Sequence, residues 1–233
     1  MIHIIDHRKM GKSEQGWLHS IFHFSFAEYY NPSNMNFGAL RVVNDDIFDA
    51  GKGFETHPHQ DMEIISYVVE GVLTHKDSMD NERQLTRGQV QYMSAGTGIT
   101  HSEINHTKNP LRFLQIWVLP DKKGYEPNYG DYRFNWEERE DKWLLIASDE
   151  TENAPIKIHQ DMNISVVSLS KGKMISYEIE EKRQVYLILI EGEGQVNEKL
   201  IHAKDAVEIT EEKKVTLKAL KKAHYILFDM KKK

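Results

Sequence analysis

Two short segments hold the residue types that could do chemistry. The first is Gly51-Lys52-Gly53-Phe54-Glu55-Thr56-His57-Pro58-His59, and the second is Ser94-Ala95-Gly96-Thr97-Gly98-Ile99-Thr100-His101-Ser102-Glu103. In an extended chain, residues i and i+2 face the same way. His57 and His59 therefore point together, as do His101 and Glu103. Pro58 fixes φ and offers no N–H, which suits a spacer on an edge strand. Two such pairs on neighbouring strands converge three neutral imidazoles and one carboxylate, a donor set for one divalent transition metal. Four protein ligands close a tetrahedral zinc site, as in structural centres. An octahedral Fe(II), Mn(II), Ni(II) or Co(II) instead keeps two positions for substrate and O₂ or water. The residues alone leave both arrangements open.

The elements that must position these pairs read as strands. Short runs rich in Val, Ile, Tyr, Phe and Leu recur along the chain, divided by Gly, Asn, Asp and Pro. They include Leu40 to Val43, Met62 to Val69, Gln89 to Met93 and Leu111 to Leu119. Later come Trp143 to Ala147, Ile164 to Leu169, Val185 to Ile190, Val215 to Leu220 and Tyr225 to Asp229. No 3.6-residue apolar stripe is sustained, so an all-β sandwich or barrel is expected. Helix is expected only in short pieces, near Phe26 to Tyr30 and Trp136 to Glu140. The strand rhythm lapses after Pro120, where Gly124, Pro127, Gly130 and a charged run intervene. This predicts an amino-terminal domain over 1–122, a linker over 123–142 and a carboxy-terminal domain over 143–233.

The two halves echo each other. Tyr67-Val68-Val69-Glu70-Gly71 is answered by Ile188-Leu189-Ile190-Glu191-Gly192, which suggests duplicated β units. Aligning Gly71 with Gly192 sets Glu178 and Glu180 opposite His57 and His59, and Leu217 and Ala219 near the counterparts of His101 and Glu103. On that alignment the second unit keeps the fold and lacks the site. His-Gln-Asp-Met occurs at both His59 and His159 but does not fit the register.

Composition excludes much else. The 233 residues contain no cysteine, which removes disulfides, thiolate metal sites and cysteine nucleophiles. No apolar run is long enough to span a membrane, and the start lacks the pattern of a secretory signal, so a soluble, cytoplasmic protein is expected. The net charge of −6 argues against a nucleic-acid partner. Residues 199–233 are lysine-rich and read as a solvated edge that discourages strand pairing. Nine of the 12 histidines precede residue 110, which again points to the first half. There is no phosphate-binding glycine loop and no Gly-x-Ser-x-Gly elbow.

These motifs resemble the cupin superfamily, and within it the pirin family. The first cupin element, Gly-x5-His-x-His-x3-4-Glu-x6-Gly, is approximated by Gly51, His57, His59, Glu63 and Gly71, with seven residues in the last gap. The second, Gly-x5-Pro-x-Gly-x2-His, is met by Gly88, Ser94 and Gly96, with the histidine two residues late at His101. Those departures are like the pirins, in which the fourth ligand comes from the position of Glu103. The likeness runs from Leu40-Arg41-Val42-Val43-Asn44-Asp45-Asp46 through His75-Lys76-Asp77-Ser78 and Met93-Ser94-Ala95-Gly96 to Glu103. In general look it resembles the short bacterial pirins said to act as quercetin 2,3-dioxygenases.

The resemblance implies a bicupin, two double-stranded β-helix barrels with few helices. It implies one divalent metal, Fe(II) first and Mn, Ni, Co, Cu or Zn as alternatives, held by His57, His59, His101 and Glu103 in the first barrel only. The implied reaction opens a flavonol-type ring with O₂ and releases carbon monoxide, with Glu103 either a base for the 3-hydroxyl proton or only a ligand. The alternative is a non-catalytic, metal-bound regulatory protein that reports redox state to a protein partner. His75 is expected either to support the site or to be a hydrogen-bonded structural histidine. Phe54, Met93 and Trp117 are expected to pack the core or wall the cavity.

Overall fold

The computed structural model describes residues 1–232, so Lys233, the last residue of the expected second domain, lies outside the described residues. The chain divides into two compact units. The first comprises Gly11–Phe134 with Ile158–Gln160; the second comprises Met1–Met10, Asn135–Lys157 and Asp161–Lys233.

The opening strand, β1 (Ile2–Ile5), belongs to the second unit, where it pairs with a strand near the other end of the chain. The first unit holds β2 (Gly11–Glu14), β3 (Leu18–Phe22), β4 (Leu40–Phe48), β5 (Gly53–His59), β6 (Glu63–Glu70), β7 (Val72–Asp77), β8 (Glu82–Thr86), β9 (Val90–Ser94), β10 (Ile99–Ile104), β11 (Leu111–Val118) and β12 (Asn128–Tyr132). They form a seven-stranded sheet, β12-β9-β6-β11-β4-β3-β2, and a four-stranded sheet, β5-β10-β7-β8. The second unit continues with β13 (Leu144–Ser148), β14 (Ile156–Lys157), β15 (Met162–Leu169), β16 (Met174–Glu178), β17 (Arg183–Glu191), β18 (Glu193–Val196), β19 (Lys199–His202), β20 (Ala206–Ile209), β21 (Lys214–Ala219) and β22 (Ala223–Lys231). Its sheets, β1-β20-β17-β22-β15-β13-β14 and β16-β21-β18-β19, repeat the seven-plus-four layout. The all-β, two-barrel cupin architecture is thus realised.

Alternation decides which side chains enter each barrel. Along β10 the odd residues Ile99, His101 and Glu103 are buried while Thr100, Ser102 and Ile104 are half-buried, the period-2 pattern of a strand with one face in the core. In the first unit Phe48, Phe113, Leu73, Leu85 and Val68 pack as one apolar layer. Ile64, Met93, Ala95 and Ile99 form another, against which Met62, Trp117 and Tyr129 lie. The polar residues that enter the barrel must therefore be held by one another.

Three expectations need correction. Residues 128–132, expected in a linker, form β12 and pair with β9 from Asn128↔Ser94 to Tyr132↔Val90. The glycines and prolines around this short strand masked it. The boundary at 122 also fails at the amino terminus, because β1 pairs with β20 and takes residues 1–10 into the second unit. Near Phe26 there is no helix. Phe26 and Tyr29 bond to each other across a tight turn with Ala27 at φ 47°, and Phe26 packs on Phe22 and Trp117 instead. The second expected helix is a single 3₁₀ turn, Trp136–Arg139.

Candidate metal centre

β5 and β10 lie side by side, and His57 is paired directly with His101. Between His101 and Glu103 the register slips, so Glu103 faces Phe54 and β5 carries one extra residue. Such a bulge bends the strand and re-aims its side chains. Close approach there requires Gly53, since a Cβ at this position would lie 2.2 Å from the Glu103 carbonyl oxygen. β5 is the edge strand, so Pro58 costs the sheet no hydrogen bond. At the other end, Gly96 adopts φ +46° and a Cβ would lie 2.1 Å from the Tyr125 carbonyl oxygen. That turn leads into β10 and is tied by Thr97 N–H donating to Tyr125 at 2.9 Å.

The three imidazoles form a near-equilateral cluster. Ring centroids are 4.8 Å apart for His57 and His59, 4.6 Å for His57 and His101, and 4.9 Å for His59 and His101. One nitrogen from each lies within 4.8 Å of the others. His57 Nδ1 donates to the Glu55 carbonyl at 2.7 Å, which leaves a bare lone pair on Nε2. That lone pair faces His101 Nε2 at 3.1 Å, an approach that calls for a proton or a cation between the two nitrogens. Burial, then the neighbouring imidazoles, pushes His59 and His101 down to about 3. At neutral pH they are uncharged lone-pair donors, the form a metal requires. The donor chemistry therefore fits a divalent transition metal. His59 and Trp117 meet edge to face at 5.0 Å, and an open hollow of about 510 Å³ bounded by Pro58, His59, Gln60, Ser78, Ile99 and Thr100 adjoins the cluster.

Glu103 lies deeper, fully buried. Its Oε1 accepts from Ser66 Oγ at 2.6 Å and Gln91 Nε2 at 2.9 Å, and its Oε2 accepts from Gln115 Nε2. Ser66, Gln91 and Gln115 come from three adjacent strands of the large sheet and are themselves paired in register. Sequence reasoning missed all three. The available signal was an inward-facing polar residue in the middle of each otherwise apolar strand. Glu103, His75 and His101 also hold donor atoms within 4.8 Å of one another. His75 is completely buried, with Nε2 3.0 Å from Asp77 Oδ2 and its ring stacked on Tyr129 at 4.7 Å.

The other candidates lie elsewhere. Glu63, at the usual cupin ligand position, accepts from Tyr92 at 2.6 Å, Ser94 at 2.7 Å and the His159 backbone N–H at 3.1 Å. It anchors the returning Ile158–Gln160 segment within the first unit. Two further histidines of the first unit stand apart from the cluster: His19 is paired with Glu14, and His106 is exposed. Phe54 packs against Trp17 and Phe48, and Met93 is buried in the core, as expected for apolar residues.

Beyond the Gln115 carboxamide the polar layer continues to Asp46, which accepts from Ser20 Oγ at 2.5 Å while its other oxygen is buried without a partner. Burial pushes Asp46 up to about 8, opposed by the Ser20 hydrogen bond and reinforced by Asp45 and Glu103. The folded chain thus keeps a proton that the unfolded chain loses above about 3.8. Its contribution to stability falls as pH rises from about 4 to about 8 and is flat beyond. Asp46→Asn should remove that part of the slope, as measured by denaturant unfolding at pH 5 and pH 8.5. An unaltered slope would place the proton elsewhere.

The second unit shows what the same positions become without a site. A Cβ on Gly71 would meet Leu111 and one on Gly192 would meet Ala223, which fixes the correspondence of the two sheets. Val196 then replaces His75, and its pairing with Leu217 matches that of His75 with Glu103. Val215 stands for His101 and, paired with it, Tyr177 for His57. Leu187, Val207 and Leu227, mutually paired, replace Ser66, Gln91 and Gln115. These residues are in one apolar core. The true counterparts therefore differ from the expected Glu178, Glu180, Leu217 and Ala219 by one residue on β16 and two on β21. Anchoring on one glycine, even with a shorter second hairpin allowed for, does not fix the registers of β16 and β21. Glu178 is exposed and pairs with Lys214, so Glu178→Ala/Glu180→Ala should leave metal content unchanged by elemental analysis.

The chain is similar to known proteins over its length. The Pirin family pattern matches residues 5–118, and that of the quercetinase C-terminal cupin domain matches residues 145–230. The chain is 38% identical over 231 residues to the quercetin 2,3-dioxygenase of Escherichia coli K12, covering 99% of both chains. It is 40% identical over 222 residues to a pirin-like protein of Caulobacter vibrioides, covering 95% of this chain and 96% of that one. The crystal structure of the bacterial pirin YhhW from E. coli in complex with nickel(II) matches with a TM-score of 0.94 at 38% identity, covering 100% of both chains.

Proposed function

The chain belongs to the pirin family, and on that premise we propose that it is a metal-dependent dioxygenase acting on a flavonol-type substrate. The observation that carries this reading is the cluster of three imidazoles whose nitrogens lie within 4.8 Å of one another beside an open hollow. His57, His59, His101 and Glu103 would hold the cation. Nickel(II) in the E. coli relative supports a divalent metal, with Fe(II) first among the metals for this chain on family likeness. When bound, such a cation acts as a Lewis acid that lowers the pKa of a chelated hydroxyl.

The chain's own residues supply the rest. His59 lines the hollow and is braced by Trp117, whose ring meets it at a steep angle. The hollow's volume lies in the range of roughly 300–1,000 Å³ typical of small-molecule sites. Ser66, Gln91 and Gln115 hold the Glu103 carboxylate in one orientation. That cradle favours a fixed ligand, since acting as the base for the substrate's 3-hydroxyl would require Glu103 to leave donors on both oxygens. Overall, both atoms of O₂ enter the ring-opened product and carbon monoxide leaves.

The test is aerobic turnover of quercetin by protein reconstituted with Fe(II), Mn(II), Ni(II), Co(II) or Cu(II), following absorbance and carbon monoxide together. Ring opening with carbon monoxide release, abolished in His57→Ala, is the expected result. One bound equivalent with no turnover by any metal would move the reading to the metal-bound regulatory protein.

A further inference from the structure

We infer that Asp77 and His75 form a buried positioning relay that fixes the tautomer of His101 and so aims its Nε2 lone pair at His57 and His59. This rests on the reading of those histidines as a metal site. The relay begins at Asp77. Its Oδ1 accepts from Met79 N–H at 2.9 Å and from the Asn81 N–H and side-chain amide, each at 3.1 Å. Its Oδ2 accepts from Asn81 Nδ2 at 3.0 Å and lies 3.0 Å from His75 Nε2. A carboxylate surrounded by donors accepts from the imidazole, so the His75 proton is on Nε2 and its Nδ1 carries a lone pair.

That Nδ1 is buried and has no hydrogen-bond partner. The same is true of Nδ1 on His101, whose Nε2 faces His57 at 3.1 Å. Two orphaned nitrogens on neighbouring buried rings are costly unless they satisfy each other. The ring centroids are 5.4 Å apart, and Tyr129, stacked on His75 with planes 21° apart, holds the ring. His75 and Glu103 are register partners, as are Asp77 and His101. The sheet itself thus sets the dyad beside the ligand.

An imidazole bound to a metal through one nitrogen donates its other N–H to a fixed acceptor. His57 does so to the Glu55 carbonyl. His101 has no carbonyl or carboxylate in that role; at a ring separation of 5.4 Å, rotation of the two rings toward each other brings the His75 lone pair into that role when the metal binds. Aspartate, two imidazoles and the metal-facing nitrogen then form one line of fixed proton positions. In the second unit Val196 and Val215 occupy the places of His75 and His101, so the relay and the ligand are absent together.

The first test needs no substitution. In ¹⁵N-histidine-labelled protein loaded with Zn(II), His101 should carry a proton on Nδ1 and show a through-hydrogen-bond nitrogen–nitrogen coupling to His75 Nδ1. A His101 ring deprotonated at Nδ1, or coupled to no other imidazole, overturns the relay. The second compares His75→Phe, which keeps a ring on Tyr129 but no acceptor, with His75→Asn, whose amide oxygen falls near the Nδ1 position. Ni(II) affinity by competition with a chelator should weaken roughly 10–100-fold in His75→Phe and recover in His75→Asn. Equal loss in both would make His75 a packing residue only. His57→Ala separates the two readings. Undiminished metal binding in that variant defeats the ligand set itself, whereas loss there with wild-type affinity in His75→Phe defeats only the relay.

Discussion

The double variant His57→Ala/His101→Ala should emerge folded and free of metal. Neither imidazole is among the apolar layers that hold the first unit together. Their removal also takes away the two imidazoles that, after burial, push His59 down. Half of the four-ligand set would be gone, so the loss of affinity should exceed the roughly 10–100-fold that follows from removing an outer-shell partner. Elemental analysis after dialysis reads the metal, and circular dichroism reads the fold. A folded double variant that still carries one equivalent would sink the assignment of the site. Quercetin turnover should vanish with the metal, which links the centre to the proposed reaction.

Leu217→Glu should be among the most destabilising single substitutions in the second unit. It installs in β21 the carboxylate that β10 carries as Glu103. Around Glu103 three side chains donate; around Leu217 the equivalent side chains are Leu187, Val207 and Leu227. None can donate a hydrogen bond, so the buried group must stay charged without a partner or take up a proton. Stranding a buried charge costs about 3–5 kcal/mol, to which the lost packing of leucine is added. Urea unfolding beside a Leu217→Ala control separates the two contributions. A loss no greater than that of the control would mean that the second barrel tolerates a polar interior, and the contrast drawn between the two units would fail.

The same contrast explains what could be read early. His57-Pro58-His59 and His101-Ser102-Glu103 were legible because strand alternation is local and needs only i and i+2. Most strands were legible for the same reason. Two features hid from local reading. The β12 strand sits among glycines and prolines and shows itself only through its pairing with β9. Ser66, Gln91 and Gln115 are ordinary polar residues in separate apolar runs, and nothing local says that all three meet one carboxylate.

By itself, the sequence determined the strand class, the two-barrel plan and the two short segments that carry the candidate ligands. These follow from residue type and period-2 spacing, which are properties of short stretches. Only the tertiary structure decided which residues of the two units correspond, the cradle around Glu103, the bulge that re-aims β5, and the juxtaposition of Asp77, His75 and His101. Each depends on which strands become neighbours, and pairing across a barrel joins residues that lie far apart along the chain.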